Sequence, residues 1–259
     1  VLPGTLPTAL TIAGSDPSGG AGLQADLKTF HRFGVYGEAV VTLITVQNTV
    51  ACERVEILAP DLILAQIRAV LNDIPPRAAK TGALGNAAVM EAIAEAAKDF
   101  TFPLVMDPVM LSKHGARLSD TSSFEALIRR AYLLMPNLHE AAELVGFAVD
   151  NRESMRRAAE VLIGMGARNV LIKGGHLDGD ALDLLCMEGG DVQEFSAARI
   201  DTKHTHGTGC TYSAAITAEL AKGTGLVQAV FLAKAFVTEA IRSNPGLGRG
   251  SGPVNHFAS

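Results

Sequence analysis

The stretch TALTIAGSDPSGGAGLQADLKTF, Thr8–Phe30, sets the reading of the whole chain. It opens on a short apolar run, passes through a turn with glycines at 14, 19, 20 and 22, and continues into a segment that reads as a helix. A strand, a glycine-rich turn and a helix in that order make a βα unit. The same alternation recurs. Strands are predicted in AVVTLIT from Ala39, PLVMDP from Pro103, YLLMP from Tyr132 and NVLIK from Asn169, each followed by Gly, Pro or Asn at a turn. Continuous apolar runs fit strands covered on both faces, so an α/β fold with a mainly parallel sheet is expected.

Helical periods lie between these runs. After Pro60, residues Leu62, Ile63, Gln66, Ile67, Val70 and Leu71 form one stripe. In NRESMRRAAEVLIGMG, Met155, Ala158, Ala159, Leu162 and Ile163 share a face, Asn151 is the cap, and Gly164 or Gly166 the stop. Two further helices are predicted, from about Gly209 to Ala221 and from Leu226 to Arg242. Between Asp178 and Ile200 the rhythm changes to a hairpin turning at Gly189 and Gly190, an antiparallel addition at the sheet's edge. Without an internal repeat, a low-complexity linker or a composition break, residues 1–259 read as one domain.

Of the 259 residues, 48% are hydrophobic, enough for a substantial core, and the net charge is −5 with 22 scattered Lys and Arg. Neither nucleic acid nor a basic membrane surface is expected as partner. Cys52, Cys186 and Cys210 form neither metal spacing nor an even disulfide set, which suits a reducing cytoplasm. Cys52 and Cys186 read as buried small hydrophobes. The N-terminal VLPGTLPTALTIAG lacks a basic n-region, so no signal peptide is expected, and no apolar stretch is long enough to span a bilayer.

Chemistry is expected where parallel strands end and helices begin. In the first such loop, glycines permit close backbone approach to a ligand and Asp16 and Asp26 offer carboxylates, although a glycine-rich loop also serves as a plain tight turn. TVQNT places Gln47 at the next strand end, where its amide suits the edge of a heteroaromatic ring or satisfies loop backbone. Asp107, before Pro108 in MDPVMLSKHG, fits a cation site or a turn cap. Asn137 and Glu140 in PNLHEA fit either a capping box or the ordering of Mg²⁺ beside phosphates. Lys173 in KGGH can reach a transferring phosphoryl group. Finally, HGTGC puts Gly207, Thr208, Gly209 and Cys210 at a helix N-terminus, an anion site that should also lower the thiol's pKa. His204 and His206 read as loop residues, His206 helping to set the turn.

Taken in order, TIAGSDPSGGAGLQADLKTF, VQNT, MDPVM, PNLHEA, KGGH, THGTGCT and the tail GRGSGPVNHF resemble the hydroxymethylpyrimidine and phosphomethylpyrimidine kinases of thiamin biosynthesis, a branch of the ribokinase-like superfamily. The resemblance runs end to end. It implies a three-layer αβα sandwich, a homodimer, and two successive phosphorylations with ATP and Mg²⁺. It further implies that Gly14, Asp26, Gln47 and Val109 contact the aminopyrimidine. Asp107 and Glu140 would serve the metal, Asn137 would support them, Lys173 would neutralise the triphosphate and Gly207–Gly209 would cradle phosphate. Cys210, as thiolate, would take or orient the acceptor's proton, where most ribokinase-like enzymes use aspartate. KTGALG departs from the pattern, with Ala83 where the family commonly has methionine. That enlarges the substrate site and brings pyridoxal kinases of the same cysteine-containing subgroup into view, beside a vitamer-binding protein without turnover.

Overall fold

The computed structural model describes residues 6–110, 115, 124–175 and 179–259. Residues 111–114 of the MDPVMLSKHG stretch and His176 of KGGH lie outside the described residues. The first βα unit is the centre of the molecule. Strand β1 (Thr8–Ser15) pairs in parallel with β2 (Tyr36–Gln47) on one side and β4 (Ala78–Thr81) on the other. Beyond β4 the parallel run continues through β5 (Leu104–Met106), β6 (Leu133–Leu134) and β7 (Asn169–Gly174). The expected edge hairpin is present as β8 (Ala181–Met187) and β9 (Val192–Ala197), antiparallel to β7. The sheet order is β3-β2-β1-β4-β5-β6-β7-β8-β9, where β3 (Cys52–Ile57) is a second antiparallel edge.

Two strands escape the sequence reading. CERVEI of β3 is mostly polar because it is an exposed edge, and Cys52 there is half-buried rather than a core residue. AAKT of β4 carries a lysine, yet all four residues are buried.

Helices cover both faces. On one lie α2 (Pro60–Asp73), α3 (Ala87–Ala96), α4 (Phe124–Ile128), α5 (Leu138–Val145) and α6 (Arg152–Gly164). On the other lie α1 (Gly22–Arg32), α7 (Thr208–Ala221) and α8 (Leu226–Arg242). Strand alternation divides the core accordingly. Met106 and Ile172 join Ile63, Met90 and Leu162 in one cluster, while their neighbours Val105 and Leu171 join Ile216 and Val230 in another. Asn151 caps α6 as predicted, its Oδ1 accepting from the Ser154 N–H at 2.9 Å. Helix α7 is buried almost all round and is built from small residues, which lets α1 and α8 pack on it closely.

This topology places the site. From β1 the chain first builds β2 on one side, then crosses to β4 on the other, opening a crevice at the carboxyl ends of β1 and β4.

Candidate active site

A cavity of about 810 Å³ occupies that crevice and extends along the strand ends to β7 and β8. Of the residues singled out from the sequence, Gly14, Gln47, Asp107, Val109, Asn137, Glu140, Lys173 and Gly207–Cys210 all line it.

One end of it is built on α7. Gly207, the N-cap, has φ 79°, and a Cβ there would lie 1.8 Å from the Gly20 carbonyl oxygen, so only glycine fits the turn. First-turn amides of a helix lack intrahelical acceptors and carry the positive end of its dipole. They open here beside Asp107 and Lys173: a Cβ on Gly209 would stand 3.4 Å from Asp107 Oδ2 and 3.6 Å from Lys173 Nζ. Lys173 Nζ lies 2.6 Å from Asp107 Oδ1 and 4.0 Å from Glu140 Oε2. Burial works against the Lys173 ammonium, but Asp107 and Glu140 outweigh it and hold its pKa above the usual lysine range.

Of the two readings of N-x-x-E, the cap is present. Asn137 N–H donates to Glu140 Oε2 at 2.8 Å and Glu140 N–H to Asn137 Oδ1 at 2.9 Å, a complete capping box. The same Glu140 is buried beside Lys173. Burial, aided by the Asp107 charge and opposed by Lys173, pushes its carboxyl up to about 7. Two carboxylates held near one another with too little positive charge fit a divalent cation. Among the described residues no group of three or more His, Cys, Asp or Glu could hold a metal; Asp107 and Glu140 offer a pair of carboxylates. That suits Mg²⁺, which commonly takes one or two carboxylates and completes its shell with water and substrate phosphates.

At the other end, Gly14, the last residue but one of β1, packs against Leu43: a Cβ on Gly14 would lie 2.5 Å from Leu43 Cδ1 and 3.7 Å from Ala83 Cβ. The Gln47 amide nitrogen is 3.4 Å from His206 Nε2, and its buried Oε1 has no protein partner. His206 Nε2 also lies 2.8 Å from Asp16 Oδ2. Asp16 accepts from the amides of Ser18 and Ala21, each at 2.9 Å. Burial pushes the Asp16 carboxyl up, but the bonds from His206 and Ser18 prevail and hold it below its usual range. The glycine-rich loop is therefore a fixed shelf, and His206 sets the turn as expected.

Two expectations need correction. Asp26, expected against the substrate, is not on the cavity wall. It is fully buried beneath it, with Oδ1 at 2.7 Å from Lys80 Nζ and Oδ2 accepting from Thr11 Oγ1 at 2.6 Å. Both oxygens are thus committed inside the protein. The Cys210 thiol, expected to be acidified by the helix terminus, is instead pushed up to about 11. Burial is the main cause; Lys80 opposes it, while the Asp26 and Asp107 charges add to it. The Gly22 N–H, 3.4 Å from Sγ, does not reverse the balance.

Sequence reasoning placed Lys80, in AKTGALG, at a strand-end junction but gave it no role, and it missed the pair Lys234–Asp183, 2.7 Å apart; Lys80 is fully buried against Asp26 and, like that pair, is among the cavity-lining residues. Their signal was a charged residue inside an apolar run, in AAKT, LDLLC and FLAKAF. Asp183 Oδ1 accepts the Gly174 N–H at 3.1 Å, next to Lys173.

A mainly parallel sheet between helical layers, with a glycine turn at a helix N-terminus and carboxylates at its strand ends, is the scaffold of a ribokinase-like kinase. The model of one family, phosphomethylpyrimidine kinase, matches residues 16–255, and the chain belongs to that family. A hydroxymethylpyrimidine/phosphomethylpyrimidine kinase of Staphylococcus aureus (strain MRSA252) is 47% identical, over 96% of this chain and 93% of that protein. Among solved structures, the Staphylococcus aureus pyridoxal kinase in complex with AMP-PCP and pyridoxal superposes with a TM-score of 0.90 at 36% identity, covering 98% of this chain and 95% of that one. The Clostridium difficile phosphomethylpyrimidine kinase gives 0.79 at 44% identity, covering 90% of this chain and 99% of that one.

Proposed function

We propose that this chain transfers the γ-phosphoryl group of ATP to the hydroxymethyl oxygen of 4-amino-5-hydroxymethyl-2-methylpyrimidine, and a second one to the phosphate so formed. The supporting observation is a single cavity lined together by Gly14, Gln47, Val109, Asp107, Glu140, Lys173 and the Gly207–Cys210 turn. Gln47 reads the ring edge, its unpartnered Oε1 being an acceptor for a ring amino group. The acceptor hydroxyl attacks phosphorus in line; its O–P bond forms as the bond from phosphorus to the β,γ-bridging oxygen breaks, and ADP leaves with that electron pair. Lys173 and the α7 amides hold the charge on the phosphoryl oxygens. Asp107 and Glu140 would hold Mg²⁺, which supplies charge neutralisation on the phosphates. Cys210 orients the hydroxyl. A thiol pushed up to about 11 is a scarce base at neutral pH, which fits a loose transition state whose acceptor proton leaves late.

The second reading, pyridoxal phosphorylation, is favoured by the small Ala83 beside Gly14 and by the close superposition on a pyridoxal kinase. Product analysis with hydroxymethylpyrimidine, its monophosphate and pyridoxal, each with MgATP, decides. A diphosphate from the pyrimidine supports the main reading; pyridoxal phosphate as sole product sinks it; no ATP consumption with any of them leaves a vitamer-binding protein. Residues 1–259 acting as one kinase domain, a homodimer and a cytoplasmic location complete the proposal. No helix among the described residues is long and apolar enough to cross a membrane. Sedimentation equilibrium tests the dimer.

A further inference from the structure

The tail GRGSGPVNHF is among the motifs above, yet the phosphoryl transfer just described uses none of it. It connects two walls of the cavity. Gly250 N–H donates to Thr49 Oγ1 at 3.3 Å and Ser251 N–H to Thr49 O at 2.9 Å. Thr49 lies in the β2–β3 turn, two residues past Gln47. The following residues then reach the anion turn. Ser251 Oγ donates to Lys203 O at 2.8 Å, His206 N–H to Gly252 O at 3.1 Å, and Val254 N–H to His206 O at 3.3 Å. The backbone of His206 is therefore held on both sides by the tail, while its ring stands between Asp16 and Gln47.

The contact with the β2–β3 turn depends on missing side chains. A Cβ on Gly250 would lie 2.0 Å from Thr49 O, although the Gly250 backbone itself would accept any residue. Further on, the tail is anchored. Val254 and His256 are buried, His256 Nε2 is 3.1 Å from Thr211 Oγ1 on the residue after Cys210, and Asn255 N–H donates to Ala240 O at 2.8 Å. Arg32 Nε donates to Ala258 O at 2.7 Å. A segment pinned to α1, α7 and α8 thus carries hydrogen bonds both to the turn beside Gln47 and to the turn that leads into Gly207.

We propose that residues 250–256 are a positioning strap that sets the spacing between Gln47 and the Gly207–Cys210 turn, acting through the clamped His206. The kinetic consequence rests on the pyrimidine kinase reading; the structural one does not. Prying the strap away should loosen the acceptor end, whereas Asp107, Asn137 and Lys173 are carried by strand ends further along the sheet.

The test is Gly250→Ala, with steady-state kinetics and amide hydrogen exchange read by mass spectrometry. KM for hydroxymethylpyrimidine should rise by about tenfold or more, and by clearly more than KM for ATP. Exchange should accelerate together in peptides covering 44–52 and 203–208 and stay unchanged in 169–174. Equal rises in both KM values, or unchanged exchange in either of the first two peptides, overturn the proposal. If the wild-type protein phosphorylates no pyrimidine, the functional reading fails and the exchange pattern alone decides on the strap. Should Gly250→Ala not accumulate as folded protein, Ser251→Ala removes the bond to Lys203 without a clash. Faster exchange in both turns then supports the strap, and faster exchange in neither overturns it.

Discussion

Replacing Asp26 by Asn separates a substrate contact from a structural ion pair. Asp26 and Lys80 are both fully buried, 2.7 Å apart. Asn keeps a partner for Thr11 but strands the Lys80 ammonium. Removing one member of a buried pair costs about 3–5 kcal/mol. An independent bound agrees: stripping a proton at pH 7 from an amine of ordinary pKa near 10.4 costs about 5 kcal/mol, so the lysine can escape its unpaired charge for no more than that. At about 2–4 °C per kcal/mol for a chain of this size, the melting temperature should fall by about 6–20 °C. Thermal unfolding followed by circular dichroism measures it. In the variant the folded-state pKa of Lys80 is lowered, so the native state binds fewer protons than the unfolded one and the deficit should shrink as pH rises from 7 towards 10. The double variant Asp26→Leu, Lys80→Met should regain most of the loss, since a well-packed apolar pair replaces a buried ion pair at little cost. A melting temperature within about 2 °C of wild type, with a raised KM for the pyrimidine, would refute this and return Asp26 to the substrate.

Cys210→Ala should slow the first phosphorylation by about a hundredfold and the second far less, because only the first acceptor presents a hydroxyl for the thiol to orient; equal losses in single-turnover assays of the two steps would exclude a role at the hydroxyl. Gly207→Ala must move the Gly20 carbonyl 1.8 Å from its new Cβ and adopt φ 79°, so phosphorylation should be lost together with MgATP binding measured by calorimetry. Glu38 is buried with Oε2 unpartnered, and burial pushes its carboxyl from 4.5 up to about 7. The folded state therefore holds its proton more tightly than the unfolded chain. The stability this brings is present below about pH 4.5 and lost as pH rises through about 7. Glu38→Gln should flatten urea-unfolding stability across that window and leave the protein more stable than wild type at pH 8.

Local sequence was sufficient for much of this molecule. The apolar runs marked β1, β5, β6 and β7, because a strand covered on both faces has no polar side to display; β2 was marked by its run as well, although Ile44 and Val46 on it are exposed. Asn151 and the Leu226–Arg242 stripe marked helix ends, because capping and amphipathicity are settled within a few residues. The exposed edge β3 and the short β4 with its buried lysine were not legible, since their pairing partners lie elsewhere in the chain. For the site, sequence located the strand-end residues and the glycine turn at the start of α7, both properties of a chain reversing direction at a helix start; that position 207 admits only glycine came from the structure. What charge a side chain carries, and what it faces, depends on what folds over it. Only the tertiary structure paired Asp26 with Lys80, brought Lys80, Asp26 and Asp107 around Cys210, and raised that thiol instead of lowering it. Desolvation and Coulomb interactions act through space between residues far apart in the chain, and no spacing in the sequence encodes them.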